Sequence, residues 1–205
     1  MKDTLTILIF ADLHAECTDK IRNADFSKRS IDVCFTLGDI DYQHLQIIQK
    51  KVNCPVYGVL GNHDEYGMFE CCGISDLDCK YIYIQNYSVT GLSGSSRYKM
   101  DNSPMLTRKE SITVSKQLSY ADILISHDSA YGLHGQRTDE AHCGLKGITR
   151  YLKKFKPHFH IYGHHHENTV QVYKKTIAVC VFGCAVIEIE KENNKSVLSK
   201  VEHIF

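Results

Sequence analysis

The chain has 205 residues, of which 43% are hydrophobic and 23% are charged, proportions that are ordinary for one globular domain that buries a core without disulfides. Lys and Arg together number 24, as do Asp and Glu, so the net charge of zero indicates neither a nucleic-acid nor a membrane surface. The opening segment MKDTLTILIF lacks a basic region followed by a long apolar one. We therefore predict neither a signal peptide nor a membrane span.

Short apolar runs rich in β-branched residues alternate with polar loops that contain glycine, which is typical of buried strands in an α/β domain. Taken in chain order, the predicted strands are Leu5–Phe10, Ile31–Leu37, Val56–Leu60, Tyr81–Thr90, Ile123–Ser126 and Phe159–Tyr162. Helices are predicted at about 41–51, 107–119 and 144–156. The remainder of the chain alternates without a helical period, which predicts antiparallel strands with a turn at Lys174–Lys175.

Nine cysteines show no spacing typical of a zinc or redox motif, because no Cys-x-x-Cys pair occurs and Cys71 and Cys72 are adjacent. Cys34 and Cys180 lie within apolar runs, where a reduced thiol acts as a small hydrophobic side chain. We predict free thiols in a reducing compartment, and therefore a cytoplasmic protein.

Side chains of metal-ligand type follow five of the predicted strands at their carboxyl ends, the edge where open α/β sheets bind ligands. They are Asp12, His14, Asp39, Asn62, His63, Asp64, His127, His164 and His166. Carboxylate, amide and imidazole groups suit Mn, Fe, Zn or Ni. Two divalent ions about 3.5–4 Å apart also need a bridging carboxylate, so the pattern predicts a dinuclear metal centre.

Together these strand-end motifs resemble, in type and order, the five motifs of the calcineurin-like metallophosphoesterase family. They are Asp12-Leu13-His14, Gly38-Asp39, Gly61-Asn62-His63-Asp64, the single His127, and Gly163-His164-His165-His166. The resemblance implies one domain over residues 1–205, folded as an α/β, four-layer α-β-β-α sandwich with two mixed sheets. The C-terminal strands resemble the second sheet of that family.

By position, the resemblance also assigns roles to these residues. Asp12, His14 and His166 would bind the first metal ion. Asn62, His127 and His164 would bind the second, and Asp39 would bridge the two. Mn²⁺ is the expected ion, with Fe, Zn or Ni as alternatives.

The resemblance further implies that His63 faces the substrate phosphate and protonates the leaving group, with Asp64 orienting its imidazole. In a locally extended segment, residues i and i+2 point the same way. His164 and His166 would then face the metals together, while His165 turns away.

The loop that follows His127 is long and polar, and loops beside a site often contact substrate. Its candidates for substrate binding are His134, Arg137 and His142, although a plain solvated loop would contain the same residues. Tyr66 and Tyr131 lie near the motifs, where they could stack a nucleobase or simply pack in the core.

The expected activity is hydrolysis of a small phosphodiester or a cyclic nucleotide by a hydroxide held between the metals. No arginine flanks the Gly-Asp and Gly-Asn-His motifs and Asp64 replaces Glu, which separates this chain from the family's protein phosphatases. One alternative is a phosphomonoesterase of the same fold. Another is a non-catalytic scaffold such as the retromer subunit, which has lost the Gly-Asn-His histidine that this chain retains as His63.

Overall fold

Two six-stranded sheets form the centre of the protein, which the computed structural model describes over residues 4–135, 139–192 and 195–205. With strands numbered along the chain, the order in the first sheet is β14 (Lys195–His203), β13 (Gly183–Glu192), β1 (Thr4–Ala11), β2 (Val33–Thr36), β3 (Val56–Gly58) and β4 (Ser75–Asp76). Strands β1 to β4 are parallel, whereas β13 and β14 each run antiparallel to their neighbours. The first sheet is therefore mixed.

The second sheet is also mixed. Its order is β11 (Thr169–Tyr173), β12 (Thr176–Cys180), β10 (Phe159–Tyr162), β9 (Ile123–Ser126), β6 (Tyr87–Leu92) and β5 (Tyr81–Ile84). The four inner strands are parallel and both edge strands are antiparallel. A small separate ladder pairs β7 (Ser95–Ser96) with β8 (Met105–Leu106).

Five helices accompany the sheets within the described ranges of the chain. They are α1 (Cys17–Asn23), α2 (Tyr42–Lys51), α3 (Met68–Cys72), α4 (Arg108–Ser115) and α5 (Lys146–Phe155). Side chains satisfy the free N–H groups at two of the helix starts: Asp41 accepts from His44 N at α2, and Thr107 with Glu110 forms a capping box at α4.

The alternation of side chains along β1 generates the layers, because successive residues of a strand point to opposite faces. Leu5, Ile7 and Ile9 lie in the core between the two sheets, together with residues of β9 and β10. Leu8 and Phe10 face the other way and pack with residues of α1, α2 and α3. Since α5 packs against the outer face of the second sheet, the order of layers is α-β-β-α.

The predicted fold class is confirmed, and three local predictions are corrected. Strands β13 and β14 join the first sheet, not the second, because β13 pairs with the whole length of β1, from Thr4↔Glu190 to Ala11↔Gly183. The run Tyr81–Thr90 is two antiparallel strands separated by a turn at Gln85, where φ is 51°. Helices α1 and α3 were not predicted, since seven and five residues are too few to show a helical period.

None of the helices in the described part of the chain has the length and apolarity needed to cross a bilayer.

His160 lies inside the second sheet, where it is fully buried and its Nε2 is 2.7 Å from Ser126 Oγ of the adjacent strand. Burial lowers the pKa of this imidazole to about 3, because the interior disfavours the charged form. The unfolded chain therefore binds a proton at His160 at a higher pH than the folded protein does.

This difference predicts how acid destabilises the fold. Neutral His160 makes its full contribution to the free energy of unfolding above about pH 6.5, the pKa of histidine in the unfolded chain. As the pH falls below that value, the contribution decreases by at most about 1.4 kcal/mol per pH unit. We expect His160→Gln to reduce the slope of the free energy of unfolding between pH 6.5 and 4, measured by urea denaturation. His203→Gln, at an exposed position, is the control; equal slopes for all three proteins would contradict the expectation.

Candidate metal centre

The loops that follow β1 and β2 are joined by backbone hydrogen bonds at the carboxyl edge of the first sheet. Asp12 N donates to Gly38 O and Leu13 N donates to Asp39 O, each at 3.0 Å. The two carboxylates are thereby placed side by side, as adjacent parallel strands require.

The second sheet meets this edge through two longer-range hydrogen bonds. His164 N, after β10, donates to Asp12 Oδ2 at 2.8 Å. His127, after β9, donates from Nδ1 to Leu37 O at 2.7 Å. Residues that are up to 152 positions apart in sequence thus lie at one point between the sheets.

Four of the proposed ligands have left-handed backbone conformations, which are uncommon outside glycine. The φ angles of Asp12, Asp39, His164 and His166 are 53°, 54°, 70° and 50°. Such strain persists where the surroundings enforce it, and it concentrates at functional sites. The segment from His164 to His166 is therefore a turn, and the prediction that it is extended was wrong.

Asp12, His14 and His166 form one group. The carboxylate of Asp12 is buried, and its Oδ1 has no hydrogen-bond partner among the described residues. That oxygen lies 3.8 Å from His166 Nε2, and the rings of His14 and His166 are 5.2 Å apart. A buried carboxylate oxygen without a donor, beside two imidazoles, fits a cation.

His127 belongs to a second group. Because its Nδ1 donates to a carbonyl, Nε2 is directed at Asn62 Oδ1, 3.0 Å away, and at Asp39 Oδ2, 3.5 Å away. Hydrogen bonding of the remote ring nitrogen commonly fixes the orientation of a metal-binding histidine.

His164 completes this second group. Its Nε2 donates to Ala141 O at 2.8 Å, which leaves Nδ1 as the free acceptor. Ligand atoms of Asp39, His127 and His164 all lie within 4.8 Å of one another. Asp39 also adjoins the first group, because its backbone carbonyl accepts the N–H of Leu13, the residue after Asp12.

The charges of these groups are unbalanced. Burial, reinforced by the nearby Asp39 carboxylate, raises the pKa of Asp12 to about 7, although His127 acts in the opposite direction. Burial opposes ionisation of Asp39 as well, but attraction to His127 holds the pKa of that carboxyl below its usual range. Burial alone would lower the pKa of His127, yet the Asp39 carboxylate raises it to about 10. Asp39 is thus paired with His127, whereas Asp12 lacks such a partner among the described residues, and a divalent ion bound beside Asp12 would favour its ionised form.

Asp64 has partners other than the one predicted for it. Its Oδ2 accepts N–H groups from Gly61 at 2.7 Å and Asp39 at 3.0 Å, and its Oδ1 accepts from Ile40 at 3.0 Å. Within the described residues, no hydrogen bond joins Asp64 to the ring of His63. The carboxylate holds together the loops after β2 and β3. Its action on the His63 imidazole stays a prediction.

His63 is exposed at the cleft, and its backbone N–H donates to Asp39 Oδ1 at 2.8 Å. His165 points in the opposite direction from the site, as predicted. It is buried, with Nε2 2.9 Å from Ser129 Oγ and 3.5 Å from Asp128 Oδ1. These contacts of His165 therefore stabilise the segment that carries His164 and His166.

The three substrate-binding candidates have different outcomes. His142 lies at the cleft, where its ring stacks on His164 at 4.7 Å. His134 is not brought there: it is absent from the described lining of the cleft, its Nε2 is 2.9 Å from Tyr162 OH, and its ring stacks on His165. Arg137 lies outside the described residues.

A cavity of about 1040 Å³ opens over these groups. Sequence analysis missed part of its lining, notably Tyr42, Met68 and Tyr98. Tyr98 OH accepts a hydrogen bond from Asn62 Nδ2 at 3.3 Å, which orients the amide so that its oxygen faces His127. No local pattern marks these residues, because they reach the cleft from segments outside the five motifs.

Comparison with known proteins agrees with this architecture. Residues 5–203 match the calcineurin-like phosphoesterase superfamily domain, and the chain belongs to that superfamily, which implies a hydrolase acting on phosphate esters. The fold typically binds divalent metal ions, and the cluster of Asp39, His127 and His164 offers a place for one. No match was found among curated proteins.

Several solved structures share the fold at low sequence identity. The protein TT1561 of Thermus thermophilus is 9% identical with a TM-score of 0.68, over 98% of this chain and 100% of that one. The phosphopantetheinyl hydrolase PptH of Mycobacterium tuberculosis is 13% identical with a TM-score of 0.64, over 89% and 91%. An archaeal phosphodiesterase is 13% identical with a TM-score of 0.56, over 97% and 100%. These likenesses show the fold alone.

Gly61 provides a test of the metal centre that alters no ligand. A Cβ at Gly61 would overlap the Asp39 carboxylate, so Gly61→Ala should displace Asp39 and weaken Mn²⁺ binding about 10- to 100-fold, measured by calorimetry. Gly58→Ala is the matched control, because its Cβ would overlap Thr36 and Phe69 instead. The control should lower stability but leave the metal affinity of the folded protein unchanged. Wild-type affinity in both variants would contradict a role for Asp39.

The contacts of Asp64 give a second test. Asp64→Ala removes the acceptor for three N–H groups, and each unsatisfied buried group costs about 1–3 kcal/mol. We expect a loss of at least about 3 kcal/mol in the free energy of unfolding without metal, measured in urea. His63→Ala should be as stable as wild type under these conditions. If Asp64→Ala is equally stable, its role is confined to the imidazole after all.

Proposed function

We propose that residues 1–205 form one metallophosphoesterase domain with a dinuclear metal centre, and that its activity is hydrolysis of small phosphodiesters. The observation that carries this proposal is that the ligand-type side chains form two groups. Asp12 Oδ1 lies 3.8 Å from His166 Nε2, and separately the ligand atoms of Asp39, His127 and His164 lie within 4.8 Å of one another. Members of both groups line the same cleft. A single metal site would leave one of these groups without a function.

In this proposal Asp12, His14 and His166 hold one ion and Asn62, His127 and His164 hold the other. Asp39 belongs to both. The unpartnered Asp12 Oδ1 and the Nε2 of His127, directed at Asn62 and Asp39, support the assignment. Mn²⁺ is the expected ion for this donor set, and Fe, Zn or Ni also suit it.

Metal ions held there would polarise the phosphoryl oxygens and make hydroxide available as a nucleophile near neutral pH. In hydrolysis, the hydroxide oxygen bonds to phosphorus, the P–O bond to the leaving group breaks, and the leaving oxygen takes up one proton. His63 is the proposed donor of that proton, because its ring is exposed at the cleft and its backbone is fixed to Asp39. His142, whose ring stacks on that of His164, is a proposed contact for the substrate phosphate.

The charge of the cleft favours a diester over a monoester. Among its described lining residues there is no Lys or Arg, whereas Asp41 and Glu65 add carboxylates beside the site. A diester carries one negative charge at neutral pH and a monoester nearly two, so the second charge of a monoester has no side-chain cation to meet it. A phosphomonoesterase and a non-catalytic scaffold are the alternatives.

The unpaired state of all nine cysteines supports the proposal that the protein acts in a reducing compartment such as the cytoplasm.

The test compares bis(4-nitrophenyl) phosphate with 4-nitrophenyl phosphate, using metal-stripped protein with and without added Mn²⁺. We expect Mn²⁺-dependent hydrolysis of the diester with little turnover of the monoester, and two bound ions per chain by elemental analysis. His63→Ala should retain both ions and lose about 10²- to 10⁴-fold in kcat on a diester with an alkyl leaving group. His203→Ala, at an exposed position outside the cleft lining, is the control.

Preference for the monoester would identify a phosphatase instead. Two bound ions without turnover of either ester would favour the scaffold, and an active His63→Ala on the alkyl diester would remove His63 from the mechanism.

A further inference from the structure

One wall of the cleft is aromatic and exposed. Tyr42 begins α2, Tyr66 lies in the turn before α3, and Met68 is the first residue of α3. The side chains of Tyr66 and Tyr42 are 69% and 46% exposed. We call these three residues the aromatic wall; it adjoins His63 and the metal centre in the same cavity.

The positions of the two tyrosines are set by the backbone. Asp41 caps α2 directly before Tyr42, and the Sγ of Cys72 in α3 lies 3.9 Å from Tyr42 O. Gly67, with φ of 88°, turns the chain between Tyr66 and α3. Tyr42 thus projects from the start of α2, and Tyr66 from the turn that leads into α3.

The charge beside the aromatic wall is negative. Asp41 precedes Tyr42 and Glu65 precedes Tyr66, and both line the cavity. Since no Lys or Arg is among the described lining residues, a group placed against the wall meets aromatic faces and carboxylates. Such a surface suits a planar group that is uncharged or cationic, and it repels any phosphate beyond the one at the metals.

Tyr131, the other tyrosine near the motifs, does not share this setting. It is not among the described residues that line the cavity, and the ammonium of Lys146 lies over its ring, 2.9 Å from the centroid. Lys146 therefore covers one face of the Tyr131 ring, and Tyr131 is a suitable control for Tyr66.

We propose that the aromatic wall binds the base of a nucleotide that carries a single phosphate in diester form, cyclic mononucleotides included. This inference rests on the proposed function, and it specifies the substrate class. A base stacks on tyrosine rings without sequence selectivity. The Glu65 carboxylate accepts a hydrogen bond from a base amino group, and together with Asp41 it repels the additional phosphates of oligonucleotides and nucleoside polyphosphates.

The first experiment compares adenosine 2′,3′-cyclic phosphate with glycerol 1,2-cyclic phosphate in Mn²⁺-loaded protein. Both are five-membered cyclic diesters with one phosphate, and only the first carries a base. The wild-type kcat/KM should favour the nucleotide at least tenfold, within the range that base–aromatic stacking provides. Tyr66→Ala should abolish that preference without changing kcat/KM for the glycerol ester, and Tyr66→Phe should keep it because the ring remains.

Tyr131→Ala is the matched control and should behave as wild type on both esters. Equal kcat/KM values for the two esters in wild type, or a preference that survives Tyr66→Ala, would overturn the inference. Hydrolysis of bis(4-nitrophenyl) phosphate would still stand in that case, so the failure would belong to the aromatic wall alone.

A binding measurement decides the inference even if neither cyclic ester is hydrolysed. In calorimetry on Mn²⁺-loaded protein, adenosine 5′-monophosphate should bind about tenfold more tightly than ribose 5-phosphate, and Tyr66→Ala should remove the difference. Adenosine 3′,5′-bisphosphate should bind no more tightly than the monophosphate, and Glu65→Lys should reverse that order. Equal affinity for the first pair, or tighter binding of the bisphosphate by wild type, would overturn the proposal.

Discussion

The metal centre depends on two hydrogen bonds that join the sheets at their carboxyl edges. His164 N–H donates to Asp12 Oδ2, and His127 Nδ1 donates to Leu37 O. Each bond connects a loop of the second sheet to a loop of the first. If the sheets slid by one residue, the carboxylates of one sheet would no longer face the imidazoles of the other. The apolar core between the sheets therefore fixes the geometry on which the chemistry depends.

Close approach of the loops is the second requirement, and glycine makes it feasible. Gly38, with φ of 90°, lies so near Gly61 that a Cβ would overlap the Gly61 backbone. A Cβ at Gly163 would stand 2.7 Å from Asp12 Oδ2. With the loops this close, the Asp64 carboxylate can accept N–H groups from both sides of the gap. The same compactness buries Asp12, which raises the pKa of its carboxyl.

The sequence predicted which side chains come together at the site better than it predicted the hydrogen bonds that join them. Ligand types at strand ends are visible because buried parallel strands have continuous apolar runs and their carboxyl ends share one edge. The partners of Asp64 could not be predicted, since backbone N–H groups carry no sequence signal. The turn at His164 to His166 was missed for a similar reason, because its left-handed angles are imposed by a contact with Asp12, 152 residues earlier.

The sequence also could not predict to which sheet β13 belongs. The first half of β13 is buried on both faces, with Ala185 and Ile187 in the core between the sheets and Val186 on the opposite face. A strand of either sheet lies between that core and a helix layer, so the pattern fits either sheet. Strand β13 pairs with β1, which is far from it in sequence, and such a long-range contact leaves no local pattern in the sequence. Tyr42 and Tyr98 also reach the cleft only through the tertiary fold.

The distribution of charge links the metal centre to the aromatic wall. The whole chain is neutral, and the described cleft lining has carboxylates but neither Lys nor Arg. In the proposed function, attraction for a phosphate would therefore come from metal ions held by Asp12, Asp39 and the neighbouring histidines. A substrate with a single phosphate can place that group at the metals and its remaining surface on uncharged rings. A second phosphate would have to lie near Asp41 or Glu65, at a cost that grows as water is excluded. The proposed selection for one phosphate would thus follow from the position of Asp41 and Glu65 in the cleft.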